Sequence, residues 1–218
     1  MVAGTLATVS LLRVLSGLSL IAAGVRAVNE GTRGGQASEG GAPAFANGAG
    51  MKASLRNVRT LDDRIKIIKG LIRQGQADPS VRAWVSEVLT RRCGDSWCVP
   101  EKDRSAEIRA IFDAIRERVR YTGDVWSMDT YQAARHVLKH RTADCDDYTI
   151  LGSACLLAVG IPVTLVVIQT TSADDWDHIY LRAGDGQGGL MGFDASVDQP
   201  AGWEAPPAIV RRTRTFPL

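Results

Sequence analysis

Cys145, His178 and Asp194 are the residues of this chain whose types and spacing could support nucleophilic catalysis. A cysteine attacks as its thiolate, a histidine takes and returns the proton, and a carboxylate orients the imidazole and favours its charged form. Cys145 stands in Ala143-Asp144-Cys145-Asp146-Asp147, immediately ahead of the apolar run from Tyr148 to Val159. With Asp144 as N-cap, Cys145 is the first residue of a helix. Unpaired backbone N–H groups and the positive end of the helix dipole there stabilise a thiolate and could hold an oxyanion. The neighbouring carboxylates Asp144, Asp146 and Asp147 act in the opposite sense, raising the thiol pKa by like-charge repulsion. A strong nearby base is therefore needed.

His178 leads the strand-like Ile179-Tyr180-Leu181, and Asp194 closes Met191-Gly192-Phe193. Midway between them lies Gly186, at the centre of the turn-rich run Gly184-Asp185-Gly186-Gln187-Gly188-Gly189. A regular hairpin on that turn predicts His178 directly opposite Asp194, with Cα atoms about 4.5 to 5.5 Å apart. Contact between His178 and Cys145 is long-range, and spacing does not yield it.

Other reactive side chains have plainer readings. Cys155 falls inside the apolar stripe and reads as core. Cys93 and Cys98 are close enough in sequence for a local disulfide in an oxidising setting, and would be two thiols in a reducing one. His136 and His140, four apart on an expected helix, could be combined with those cysteines into a zinc site. The spacing fits no compact finger, and no metal or cofactor is expected. Trp126 and Tyr131 precede the cysteine and could line an acyl pocket or donate to an oxyanion, and Trp176 could form a cleft wall; packing is the default for all three.

The elements that must position these groups follow from periodicity. Thr60 with Asp63 caps a helix carrying Leu61, Ile65, Ile68 and Ile72, ended by Gly75. Asp78-Pro79 caps a second, with Val81, Trp84, Val85, Val88 and Leu89, and Ile108, Ile111, Phe112, Ile115 and Val119 mark a third. A short helix is expected from Thr130 to about Lys139. The helix Tyr148–Val159 is apolar nearly all round, hence buried, and Gly160-Ile161-Pro162 stops it. Strands follow at Ile161–Gln169, Ile179–Arg182 and Leu190–Phe193. Helices first and strands afterwards predict an α+β fold with an antiparallel sheet.

The chain has 218 residues, 45% hydrophobic and 23% charged, which suits a folded domain and excludes a disordered one. Net charge is +2, and the one local basic cluster, Arg211, Arg212 and Arg214, is too small for a nucleic-acid footprint. Leu6 to Val25 is largely apolar but divided by Arg13, with no basic residue ahead of it. It reads as a helix or an extension rather than a secretory signal or membrane anchor. Residues 31–50, rich in Gly, Ala and Ser, read as a flexible linker. The expected division is an extension over 1–50, a helical subdomain over 51–104 and a catalytic core over 105–218.

Taken together, Asp144-Cys145-Asp146-Asp147 before an apolar helix, Gly160-Ile161-Pro162 before a strand, Asp177-His178-Ile179-Tyr180, and Gly192-Phe193-Asp194-Ala195 resemble the transglutaminase-like superfamily over about residues 105–200. The resemblance implies a papain-like core with Cys145 as nucleophile, His178 as general base and then acid, and Asp194 orienting His178. It implies thiol-dependent acyl transfer or amide hydrolysis on a protein or peptide. Ala143 departs from the pattern, which generally has glycine there. Asp78-Pro79-Ser80-Val81-Arg82 and Val119-Arg120-Tyr121 are similar to compact bacterial and phage-encoded members, implying a cytoplasmic or virion-associated protein, with secretion left open. The alternative is a non-catalytic interaction or phage-morphogenesis protein that keeps the fold.

Overall fold

The computed structural model describes residues 58, 60–124, 129–172 and 175–218. The expected extension over residues 1–50 and Trp126 lie outside them. Helix α1 (Leu61–Ala77) is capped by Thr60, whose hydroxyl oxygen accepts from the Asp63 N–H at 3.2 Å. It runs through Gly75 rather than ending there. The stop is Pro79, which forces Asp78 into an extended conformation. Asp78 then caps α2 (Pro79–Leu89) by accepting from Ser80 N–H. Gly75 is needed for packing instead: a Cβ there would lie 2.8 Å from that of Ala154 and 2.9 Å from that of Ala134.

A hairpin of β1 (Arg92–Cys93) and β2 (Ser96–Trp97) is closed by a Cys93–Cys98 disulfide, with Cα atoms 4.9 Å apart. Helix α3 (Arg104–Arg118) leads to β3 (Arg120–Tyr121). Helix α4 (Ala134–His140) begins later than its sequence suggests. Thr130 N–H and hydroxyl are bound by Asp124, and Gln132 N–H by Asp147, so side-chain acceptors take donors that a helix would have used. Strand β4 (Thr142–Ala143) pairs in parallel with β3, setting Tyr121 beside Ala143.

Helix α5 (Cys145–Ala158) is the centre of the molecule, buried on every side from Asp147 to Leu156. It ends in a Schellman arrangement, Gly160 having φ 75° and Ile161 N–H donating to Leu156 C=O at 3.0 Å. Strands β5 (Val163–Gln169), β6 (His178–Gly184), β7 (Leu190–Phe193) and β8 (Arg212–Pro217) form an antiparallel sheet ordered β7-β6-β5-β8. Odd-numbered residues such as Leu165, Val167, Ile179 and Leu181 join the helices in one core with Ile68, Ile72, Val85, Ile111 and Phe112. Val166, Ile168 and Tyr180 on the other face pack under Ala205 and Val210. The fold is thus α+β, a buried helix packed on an antiparallel sheet, with helices added ahead of it.

Strand β8 is the strand of the main sheet that local pattern does not predict, its arginines forming only a local basic cluster in the sequence. Arg214 pairs with Asp62 at 2.9 Å and Leu218 N–H donates to Val163 C=O at 3.0 Å, so long-range partners fix this exposed edge strand. Among the described residues, no helix is long and apolar enough to cross a membrane.

Candidate active site at the head of helix α5

Cys145 is the first residue of α5, and Asp144, as its N-cap, accepts from Asp147 N–H at 3.0 Å. The half-buried thiol receives a hydrogen bond from the Ile179 backbone N–H, while Thr149, one turn further along the helix, donates to Ile179 C=O at 3.2 Å. Residues four apart on one helix face thus take both polar groups of a single strand residue. That residue is open to them because the β6–β7 ladder stops at Leu181 and Phe193, so no strand covers the edge of β6 at Ile179.

His178 occupies the first position of β6, buried, with Nε2 2.6 Å from Asp194 Oδ2. The other Asp194 oxygen accepts from the Ser196 hydroxyl at 2.7 Å and its N–H at 3.3 Å, which fixes the carboxylate plane. The register differs from the expected one. Gly184 pairs with Leu190 and Leu181 with Phe193, so the turn centres on Gln187 and continuation of the ladder puts Asp194 opposite Tyr180. Because side chains alternate, a shift of two keeps Asp194 on the same face as His178, and the pair meets diagonally. Nε2 serves the carboxylate, so in the neutral ring Nδ1 is the acceptor. It is buried and has no hydrogen-bond partner among the described residues. The Cys145 thiol therefore lies against the neighbouring residue Ile179 and is not bonded to the imidazole.

The electrostatics are dominated by carboxylates. Burial lowers the pKa of His178, but Asp194, by charge and hydrogen bond, then Asp177 and Asp146, outweigh it and hold it above the ordinary value. Burial followed by Asp146 and Asp144 pushes the Cys145 thiol well up, against the Ile179 N–H. The acids crowd one another as well. Burial together with Asp147 and Asp146 lifts Asp144 to about 9, burial with Asp129 and Asp147 lifts Asp146 to about 7, and burial lifts Asp147 to about 6.

Tyr121 was not singled out from sequence. Anchored beside Ala143 by the β3–β4 pairing, it is 39% exposed, and its phenol is held protonated first by burial and then by the nearby Cys145 and Asp144 charges. Its signal was present in Val119-Arg120-Tyr121, but the parallel pairing that brings it to the cysteine is not local. Trp176 is partly buried beneath the Arg212 guanidinium at 4.7 Å, and Tyr131 packs against the core. Of the residues weighed as metal ligands, Cys93 and Cys98 are consumed by their disulfide, and His136 and His140 meet edge to face at 6.2 Å.

A cysteine heading a buried helix, set against an antiparallel sheet that supplies a paired histidine and aspartate, defines a transglutaminase-like domain. Residues 91–196 match the model of the transglutaminase-like superfamily. No curated protein sequence matches. Among solved structures, the chain is similar to one named "putative protease" from Parabacteroides distasonis ATCC 8503, at 14% identity and TM-score 0.45 over 61% of this chain and 26% of that one. It is also similar to one named "putative cysteine protease" from Cytophaga hutchinsonii, at 19% identity and TM-score 0.42 over 69% of this chain and 51% of that one. The chain thus spans about a quarter and about half of their lengths.

Proposed function

We propose that the chain hydrolyses amide bonds in a protein or peptide through a Cys145 thioester. The Cys145 proton passes to His178 Nδ1 as sulfur bonds to the carbonyl carbon, and the oxyanion is held by backbone N–H groups at the head of α5 and by the Tyr121 hydroxyl. Collapse breaks the C–N bond, and the proton moves from His178 to the departing amine. Water then attacks the thioester, His178 takes its proton, and the acid leaves as the thiol is restored. Asp194 stabilises the imidazolium throughout. An amine entering in place of water would give transamidation; water is always present, so hydrolysis is the preferred outcome.

The observation that carries this reading is the buried 2.6 Å contact between His178 Nε2 and Asp194, which leaves Nδ1 to take a proton from a thiol bonded to the next residue of β6, Ile179. The disulfide is compatible with an oxidising location such as a virion or cell surface or the secreted state, more than with a reducing cytosol.

A second reading, a non-catalytic module that keeps the fold, is favoured by the raised Cys145 pKa and the unmade thiol–imidazole bond. Alkylation near pH 6 separates the two. Cys93 and Cys98 are bonded and Cys155 is buried, so unreduced protein reports on Cys145. Fast labelling that His178→Ala abolishes, with a peptide thioester trapped on Cys145 and seen by mass spectrometry, supports the enzyme. Slow labelling indifferent to His178 and no adduct support the module.

A further inference from the structure

We propose that Asp177 is a positioning residue for His178, its carboxylate locking the β5–β6 connection so that the imidazole enters β6 in one orientation. This rests on the catalytic reading of His178. Asp177 is buried, and Oδ2 accepts from Thr171 N–H at 2.8 Å, Thr170 N–H at 2.9 Å and the Thr170 hydroxyl at 3.2 Å; Oδ1 lies 3.0 Å from Thr170 N. Its own N–H donates to Ile168 C=O at 3.2 Å. One carboxylate thus ties the exit of β5 to the entry of β6, immediately before the histidine.

The charge strengthens these hydrogen bonds and also acts on the neighbouring imidazole, whose proton it favours. Asp177 is a second buried carboxylate beside the ring, complementing Asp194 at the end of β7. The other groups around His178 are Asp146 from α5 and Tyr180, stacked on the ring at 6.1 Å from its own strand. Trp176, preceding Asp177, is covered by Arg212 from β8. The clamp holds the ring where Asp194 meets Nε2, and the charge keeps the proton on the ring once it has left the thiol.

Clamp and charge separate experimentally. In Asp177→Asn an amide oxygen at the Oδ2 position keeps most of the hydrogen bonds and loses the charge, whereas Asp177→Ala loses both. The chain has three histidines, so NMR titration of the full chain, assigned with His178→Gln, reads the His178 pKa with no substrate. It is expected to fall by roughly 0.5 to 1 unit in Asp177→Asn. The His178-dependent step in the pH profile of Cys145 alkylation is expected to move down with it. In Asp177→Ala that step is expected to vanish. A His178 titration identical in wild type and Asp177→Asn overturns the role of the charge, and a wild-type step in Asp177→Ala overturns the clamp. If the wild-type protein shows no His178-dependent step, the catalytic reading fails, and the NMR titration still decides on the charge.

Discussion

His178 and Asp194 meet at 2.6 Å although continuation of the ladder sets Asp194 against Tyr180, two residues further along β6. Past the last paired residue, Phe193, Ser196 holds the carboxylate that makes this diagonal contact. Asp194→Ala leaves Nε2 buried without its partner. Amide hydrolysis is expected to fall by about 10²- to 10⁴-fold. NMR of the same variant should show the His178 pKa dropping, since its chief opposition to burial is gone.

The pH dependence of the reaction follows from the sign of the His178 shift. A general base must be unprotonated, and Asp194 raises this pKa above its ordinary value of 6.5. Activity is therefore expected to rise with pH through a midpoint on the alkaline side of 6.5, and steady-state kcat/KM between pH 5 and 9 measures it. A plateau already reached at pH 6 contradicts the role given to Asp194.

Stability should run the other way. The folded-state pKa values of Asp144, Asp146 and Asp147, about 9, 7 and 6, lie above the ordinary 3.8. Groups raised in the fold contribute most below their unfolded pKa and lose that contribution as pH climbs to the folded one. His178, also raised, acts in the same direction above 6.5. The thermal midpoint is expected to decline from pH 5 to pH 9. Asn is as good an N-cap as Asp, so Asp144→Asn should flatten the alkaline part of that decline and lower the Cys145 pKa, seen as faster alkylation at pH 7.

Tyr121→Phe removes a hydroxyl without disturbing the β3–β4 pairing. If that hydroxyl donates to the oxyanion, turnover should fall about ten- to a hundredfold, while the alkylation profile of Cys145, which involves no oxyanion, stays close to that of wild type. Equal turnover in both proteins removes Tyr121 from the mechanism.

Gly152 on α5 couples packing to the site. A Cβ there would lie 2.8 Å from Phe193 Cε1 and 3.2 Å from Leu181 Cδ2, and Phe193, itself edge-on to Phe112 at 5.1 Å, directly precedes Asp194. Gly152→Ala gains about 1 kcal/mol of helix propensity and costs about 1 to 3 kcal/mol in overpacking. A lower denaturant midpoint is expected, together with weaker His178–Asp194 coupling visible as a lower His178 pKa.

Much was legible without coordinates because it is encoded locally. Asp144 before an apolar run specifies a capped, buried helix with Cys145 first, and alternation with a glycine-rich turn specifies a hairpin joining His178 to Asp194. Helix stripes such as Ile65, Ile68 and Ile72 depend on period alone. The exact register escaped because Gly186 and Gly188 both adopt positive φ and glycines offer several turns of similar energy; the parity of side chains survived the error because a two-residue shift preserves it. Strand β8 escaped because its partners, Thr164 to Gln169 and Asp62, are far away in sequence.

The sequence by itself therefore determined which residues head the helix, which face of the hairpin they share and what chemistry their types allow, since backbone periodicity and capping act over a few residues. Only the tertiary structure decided that Ile179 presents its N–H to the thiol, that Tyr121 stands beside the cysteine and that Asp177 closes the loop ahead of the histidine. Each depends on where α5 lies against the uncovered edge of β6 or on how separate strands end, and that is set by packing of the whole core.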